Sequence, residues 1–90
     1  MREAAVVLDN RLGLHARAAA KVVRAAQDFE SAITLIAAND SQADAKSILS
    51  ILALAAGKGT RITLTAHGPD EADAINQLQK LFANNFDEEQ

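Results

Sequence analysis

Side chains alternate between the two sides of an extended chain in segments 5–8, 33–36 and 62–66, most cleanly in the run Ile-Thr-Leu-Thr-Ala of the last segment. A period of two predicts strands with one buried and one wet face. The turn-forming residues Asn-Asp-Ser at 39–41 lead into a weaker strand at 42–44. We therefore predict four strands, with a hairpin at one edge of their sheet.

The period changes to that of a helix over residues 16–27. An apolar stripe with charges on the other side predicts a surface helix that packs on something flat. The predicted stripe consists of Ala16, Ala19, Ala20, Val23 and Ala26, and the polar face of Arg17, Lys21, Arg24 and Asp28.

A second, short helix is predicted to begin at Ser47, a good N-cap residue, and to stop by Gly57. It is too apolar on all sides for every side chain to be buried against one sheet. We expect Ile48, Leu49 and Leu52 to leave apolar surface exposed, and such a patch indicates a protein-binding surface.

The third helix follows the last strand. Pro69 is expected in its first turn, with Asp70, Glu71 and Asp73 complementing the positive end of the helix dipole. The tail 87–90 is expected to be frayed. The apolar stripe of this helix is predicted to consist of Ile75, Leu78, Leu81 and Phe82.

The order of elements is therefore β-α-β-β-α-β-α. This order predicts an α+β fold, an open-faced β-sandwich in which three helices cover one face of a four-stranded antiparallel sheet. No linker or repeat divides the chain, so residues 1–90 are expected to form a single domain.

Composition narrows the classes of function. The net charge of −3 and the lack of Trp and Tyr argue against binding of nucleic acid. The lack of cysteine excludes thiol catalysis, disulfides and cysteine-based zinc sites, and it fits a reducing cytosol. No segment approaches the roughly 20 apolar residues of a membrane span. We expect a cytoplasmic protein that is not inserted into a membrane.

The run Gly-Leu-His-Ala-Arg-Ala-Ala at 13–19 carries the candidate chemistry. It places His15 where a loop becomes a helix, and a helix start offers unpaired N–H groups and a positive dipole end. Arg17 adds a forked cation two residues away. A neutral imidazole is a nucleophile near pH 7, so His15 could carry a phosphoryl group.

Two motifs resemble those of the histidine-containing phosphocarrier (HPr) family of the bacterial phosphoenolpyruvate phosphotransferase system. The segment Gly-Leu-His-Ala-Arg at 13–17 is similar to the family's active-site loop, and Ala-Lys-Ser-Ile-Leu at 45–49 to its regulatory serine motif. The spacing of the two motifs and the order of elements over residues 3–86 also match the family.

The resemblance implies that His15 accepts a phosphoryl group from phosphorylated enzyme I and passes it to a histidine of an enzyme IIA protein. By the resemblance, the Nδ1 atom would be phosphorylated. We expect the side chain of Arg17 and the backbone N–H groups of Ala16, Arg17 and Ala18 to bind the phosphate. The resemblance implies a phosphohistidine relay, not a stand-alone enzyme, and calls for neither a cofactor nor a metal. We expect a monomer, as suits a shuttle.

The chain departs from the family at two positions. Ala18 stands where proline is usual, and we expect its extra N–H group to contact phosphate or water while the turn is looser. Ala55 stands where glycine is usual, so the second helix is expected to run on to Gly57.

Ser47 has two readings, as a plain helix N-cap and as a regulatory site for an HPr kinase. The resemblance also implies a partner-binding face, formed by Ile48, Leu49 and Leu52 with the basic side chains of Lys21 and Arg24. For the two basic residues the alternative is an ordinary solvated helix face.

Several alternatives remain open at this point. The chain could serve a nitrogen-related regulatory branch instead of sugar uptake, or act by docking alone without accepting phosphate. A small acylphosphatase-like enzyme would need a catalytic asparagine, for which Asn39 is available, and would give His15 no role. His67 is expected to be a solvent-exposed turn residue without a metal.

Overall fold

A four-stranded antiparallel sheet with spatial order β1-β4-β2-β3 forms the centre of the fold in a computed structural model that describes residues 1–87. The predicted order of elements and the fold class are confirmed, with β3 at an edge. The elements are β1 (Arg2–Val7), α1 (Ala16–Gln27), β2 (Ala32–Ala37), β3 (Gln42–Asp44), α2 (Ile48–Ala53), β4 (Arg61–His67) and α3 (Glu71–Ala83).

The register of the strands sorts their side chains onto two faces. Leu64 of β4 lies opposite Ala4 of β1 and Leu35 of β2, and Leu64 and Leu35 are fully buried beneath the helices. Thr63 and Thr65 point to the other face and are only partly buried. The alternation that predicted these strands therefore reflects a sheet with helices on one side only.

The predicted apolar stripe of α1 is correct at Ala19, Val23 and Ala26, which are buried, and wrong at its other two positions. Ala16 is exposed and Ala20 is half-buried, whereas Ala18 and Val22 are fully buried. The helix is rotated about its axis because alanine is small and apolar at most of its positions, so the pattern does not fix which side faces the sheet. The buried side chains of α1 are Ala18, Ala19, Val22, Val23 and Ala26.

The expected extension of α2 to Gly57 is also wrong, because the helix ends at Ala53 with Leu54 as its C-cap. Ala55 adopts a left-handed backbone with φ of 50°. Its N–H donates to the Leu52 carbonyl at 3.1 Å, as expected of the residue that follows a C-cap. Ala55 thus takes the conformation in which glycine is usual, at a cost in strain.

The third helix begins later than predicted, at Glu71, so Pro69 precedes its N-cap instead of lying in the first turn. Beyond α3, residues 85–87 form a turn with left-handed backbone, and Phe86 is buried there with its ring 4.8 Å from that of Phe82. Of the tail that was expected to be frayed, residues 88–90 lie outside the described part of the chain.

Candidate functional site

His15 is the N-cap residue of α1, as the sequence predicted. Its backbone is extended, with φ of −80° and ψ of 178°, and its carbonyl accepts the first helical hydrogen bond, from the Ala19 N–H at 2.8 Å. The imidazole Nδ1 accepts a hydrogen bond from the Arg17 N–H at 3.3 Å. An acceptor nitrogen carries a lone pair, so this contact favours the neutral tautomer with its proton on Nε2.

The loop before His15 is held against the segment that follows α2. Gly13 has φ of +65°, and a Cβ there would lie 2.4 Å from the Ala56 carbonyl oxygen and 2.7 Å from the Cα of Gly57. The Leu14 N–H donates to that same Ala56 carbonyl at 2.9 Å, and the Leu14 side chain is buried. Only glycine fits at position 13, because the left-handed conformation and the close backbone both exclude a side chain.

Three backbone N–H groups, those of Ala16, Arg17 and Ala18, lie at the start of α1 ahead of the first helical hydrogen bond. In an α-helix such groups have no partner within the helix and point toward its N-terminal end. No acid lies in the first turn, and the Arg17 side chain is exposed. The three predicted N–H groups therefore lie together at the start of α1, and that of Arg17 donates to the imidazole.

The second motif lies on α2, which packs against α1. Ser47 is the N-cap of α2 and its Oγ accepts from the Ser50 N–H at 3.2 Å, so its capping role is confirmed. Leu49 is 80% exposed and Ile48 41% exposed, whereas Leu52 is half-buried. The expected exposed apolar patch is therefore present, with Leu49 as its most prominent side chain.

The two basic residues predicted to bind partners differ in their surroundings. Lys21 is half-buried, and its ammonium group donates to the backbone carbonyl of Phe86, so it fastens the C-terminal turn to α1. Arg24 is exposed in the last turn of α1. The structure thus gives Lys21 an internal contact that the sequence did not reveal, while Arg24 lies on the solvated face.

Sequence reasoning missed two parts of this site, the side chain of Asn10 and the support from residues 56–57. Asn10 is fully buried, and its Nδ2 donates to the Gly13 carbonyl at 2.8 Å. An asparagine at the start of a loop was visible as a turn signal. Nothing in the sequence showed that Ala56 and Gly57, more than 40 positions later, lie beneath the loop.

Other possible sites find no support in residues 1–87. No group of histidine and acidic side chains there could hold a metal ion, and no helix there is both long and apolar enough to cross a membrane. His67 is exposed, as expected, but it is the last residue of β4 and not part of the turn. Asn39 accepts a hydrogen bond from the Ser41 N–H within its own turn.

Comparisons with known proteins show the family to which the chain belongs. A family model described as the PTS HPr component phosphorylation site matches residues 2–84. The phosphocarrier protein HPr of Cupriavidus necator is 48% identical over 88% of each chain, and that of Treponema pallidum is 45% identical over 89% of this chain and 90% of its own. A crystal structure of HPr from Thermoanaerobacter tengcongensis superposes with a TM-score of 0.94 at 38% identity over the whole of both chains. The chain belongs to the HPr family of phosphocarrier proteins of the phosphotransferase system.

Proposed function

We propose that His15 is the residue that carries the phosphoryl group, received from phosphorylated enzyme I and delivered to a histidine of an enzyme IIA protein. The observation that carries the proposal is the hydrogen bond from the Arg17 N–H to Nδ1 of His15. It favours a lone pair on the imidazole nitrogen that lies closest to the start of α1. Family membership implies interaction with enzymes of the phosphotransferase system.

The chemistry requires only one bond to form and one to break. The Nδ1 lone pair of His15 forms a new N–P bond as the bond between phosphorus and the donor atom breaks, and that electron pair returns to the donor. Phosphoryl transfer of this kind passes through a loose transition state, so positioning and charge stabilisation matter most. On attack, the Arg17 N–H exchanges the ring nitrogen for a phosphoryl oxygen as its acceptor.

Positive charge on α1 and on the loop before it supports this role. Four of the nine lysine and arginine residues, and none of the 12 acids, fall within residues 10–27. Arg17 is the member of this group nearest in sequence to His15, and its guanidinium can stabilise charge on the equatorial oxygens. The N–H groups of Ala16 and Ala18 complete the phosphate-binding set.

Ala18 distinguishes this chain from the family's usual proline. We infer that its N–H, which proline would lack, donates to the phosphoryl group or to water beside it. Ala18→Pro is then expected to change the hydrolysis rate of the phosphorylated protein. An unchanged rate would refute this role for the Ala18 N–H.

The partner-binding face is proposed to comprise Ile48, Leu49 and Leu52 together with the basic side of α1. Exposed apolar side chains beside cations suit a partner whose surface is apolar and acidic. Arg24 is the clearer basic candidate, because Lys21 already binds the Phe86 carbonyl. Truncating Leu49 or Arg24 should weaken docking without altering the chemistry at His15.

Ser47 is proposed as a regulatory phosphorylation site for an HPr kinase. Ser47 is half-buried at the start of α2, directly before the exposed Ile48 and Leu49. A phosphate there would place two negative charges beside the apolar patch and repel acidic partners. Ser47→Asp keeps a capping oxygen and adds charge, so it should raise the KM for enzyme I while leaving stability close to that of the wild type.

We further propose a single-domain monomer that acts in the cytoplasm. The nitrogen-related branch remains a second candidate circuit, and docking without phosphate remains an outcome of the experiment below. The acylphosphatase-like alternative receives no support from the family match.

The proposed function is tested by mixing the protein with phosphoenolpyruvate and enzyme I from the same source and measuring its intact mass. One acid-labile phosphoryl group is expected on the wild type and none on His15→Ala. No mass gain by the wild type would contradict the carrier role and favour docking alone.

A further inference from the structure

Within residues 1–87, the fully buried polar residues are Asn10 and Ser31. A buried amide is costly unless it is hydrogen-bonded, so its position reports a specific structural demand. The Asn10 Nδ2 donates to the Gly13 carbonyl at 2.8 Å, and the Gly13 N–H donates back to the Asn10 carbonyl at 3.2 Å. The two hydrogen bonds close the turn that leads to His15.

The side chain of Asn10 acts on the peptide unit that joins Gly13 to Leu14. The carbonyl of this unit accepts from Asn10 Nδ2, and its N–H donates to the Ala56 carbonyl at 2.9 Å. Both polar atoms of one peptide plane are therefore fixed from opposite sides. The plane cannot rotate without breaking two hydrogen bonds, one of them buried.

This plane lies one residue before His15, so its orientation determines the position of the His15 side chain. A small rotation there would move Nδ1 away from the Arg17 N–H, which it meets at 3.3 Å. Misplacement of a nucleophile by about 1 Å can lower a rate by about a hundredfold.

We propose that Asn10 is a positioning residue for phosphoryl transfer, which holds the loop so that Nδ1 of His15 faces the helix N-terminus. The proposal rests on His15 being the phosphoryl acceptor. In this proposal Asn10 acts on His15 through the Gly13–Leu14 peptide unit, whose carbonyl accepts from Asn10 Nδ2. Its loss should lower kcat and leave docking intact.

The test compares Asn10→Asp with Ser31→Ala. Asn10→Asp keeps the side-chain shape but replaces the NH₂ donor by oxygen. Ser31→Ala removes the hydrogen bond that the buried Ser31, just before β2, donates to Asp70, and so controls for general loss of stability. The measurements are kcat and KM for transfer from phosphorylated enzyme I, with ¹⁵N NMR of the His15 tautomer in the unphosphorylated protein.

We expect Asn10→Asp to lower kcat by about tenfold or more. Its KM should stay within about twofold of the wild type, because the docking face is untouched. The Nε2–H tautomer should lose its dominance, while Ser31→Ala keeps the wild-type kcat and tautomer. A kcat for Asn10→Asp that equals that of Ser31→Ala would overturn the proposal.

A second variant and the tautomer measurement distinguish a failure of this proposal from a failure of the proposed function. If Asn10→Asp does not fold, Asn10→Ala carries the same test, with the same expected and contradicting results. If the wild type takes up no phosphoryl group, the proposed function has failed. The tautomer measurement then decides the positioning role alone, and an unchanged tautomer in the Asn10 variant overturns it.

Discussion

The starts of α1 and α3 share the same backbone feature and use it in different ways. Each begins with N–H groups that no helical carbonyl accepts. At α3 the chain supplies its own anions, with Asp70 as N-cap and Glu71 and Asp73 in the first turn. At α1 it supplies no acid, and instead has the imidazole of His15 as cap, with Arg17 two residues later.

The acids of α3 are used for structure. The Asp70 carboxylate accepts from the Ser31 hydroxyl, from the Glu30 N–H at 2.9 Å and from the Ser31 N–H at 3.0 Å. These bonds, the Ser31 hydroxyl first, lower the pKa of Asp70. The Gly68 N–H and then the N-terminal ammonium lower that of Glu71. At the start of α3 the chain provides the anions, and they stabilise the fold. At the start of α1 it provides a nucleophile and a cation, so this helix start can take part in a chemical reaction.

Arg17→Glu should make the start of α1 most like that of α3, because it places an acid in the first turn of α1. We expect kcat for phosphoryl transfer to fall about a hundredfold, a loss of about 3 kcal/mol in transition-state stabilisation. Thermal stability should not fall, since an acid at this end of a helix is favourable. The control is Arg24→Glu, the same charge change in the last turn, which should raise KM instead. Wild-type kcat in Arg17→Glu would show that the cation beside His15 is unimportant.

Gly13→Ala should disturb the α1 start through the backbone. The new Cβ would meet the Ala56 carbonyl oxygen at 2.4 Å, in a left-handed conformation. We expect a loss of about 3 kcal/mol in the free energy of unfolding, measured by urea denaturation. Gly59→Ala, with φ of +91° but open space, should lose less, and Gly57→Ala, also in open space, should lose least. Equal losses at all three positions would contradict the role of close contact.

Asp70→Asn should affect the start of α3 alone. Because the folded pKa of Asp70 lies below its ordinary value of 3.8, its carboxylate adds stability above that pH and loses this contribution as pH falls through the folded pKa. The variant should therefore have a lower Tm than the wild type at pH 7, and this difference in Tm should disappear in acid. Asp73→Asn, an exposed acid of the same turn, is the control. A difference in Tm that does not depend on pH would refute the stabilising role of the Asp70 carboxylate. Phosphoryl transfer should be normal in both variants.

Ala55→Gly should give the smallest effect, and in the opposite direction. Glycine adopts a φ of 50° without the strain that alanine bears at this position. We expect the free energy of unfolding to rise by about 1 kcal/mol, with normal phosphoryl transfer. Ala53→Gly, in the last turn of α2, should instead lower it. A loss of stability in Ala55→Gly would mean that the left-handed conformation carries little strain.

The sequence predicted those features that depend on neighbours along the chain. Alternation located three of the four strands, a turn signal located the weaker β3, and the loop before His15 located the start of α1. The Ser47 N-cap and the exposure of Leu49 also followed from local pattern. Ala-rich α1 left its own rotation undetermined, because an alanine contributes almost equally to either face.

Features that depend on distant contacts could not be predicted. The role of Lys21 depends on the Phe86 carbonyl, and the position of Gly13 depends on its close contact with residues 56–57. The end of α2 depended on whether Ala55 would tolerate left-handed backbone, and the surrounding structure decided this against local preference. Asp70 lay where the dipole argument placed it, but its hydrogen bonds to Ser31 came from tertiary contact.

We propose that Nδ1 of His15, which faces the start of α1, carries the phosphoryl group. The most direct measurement is heteronuclear NMR of the ¹⁵N-labelled protein before and after phosphorylation by enzyme I, with ³¹P–¹⁵N couplings on the ring. We expect phosphorus on Nδ1, together with shifts of the backbone amides of Ala16, Arg17 and Ala18. Phosphorus on Nε2, or on Nδ1 with those three amides unchanged, would contradict the account.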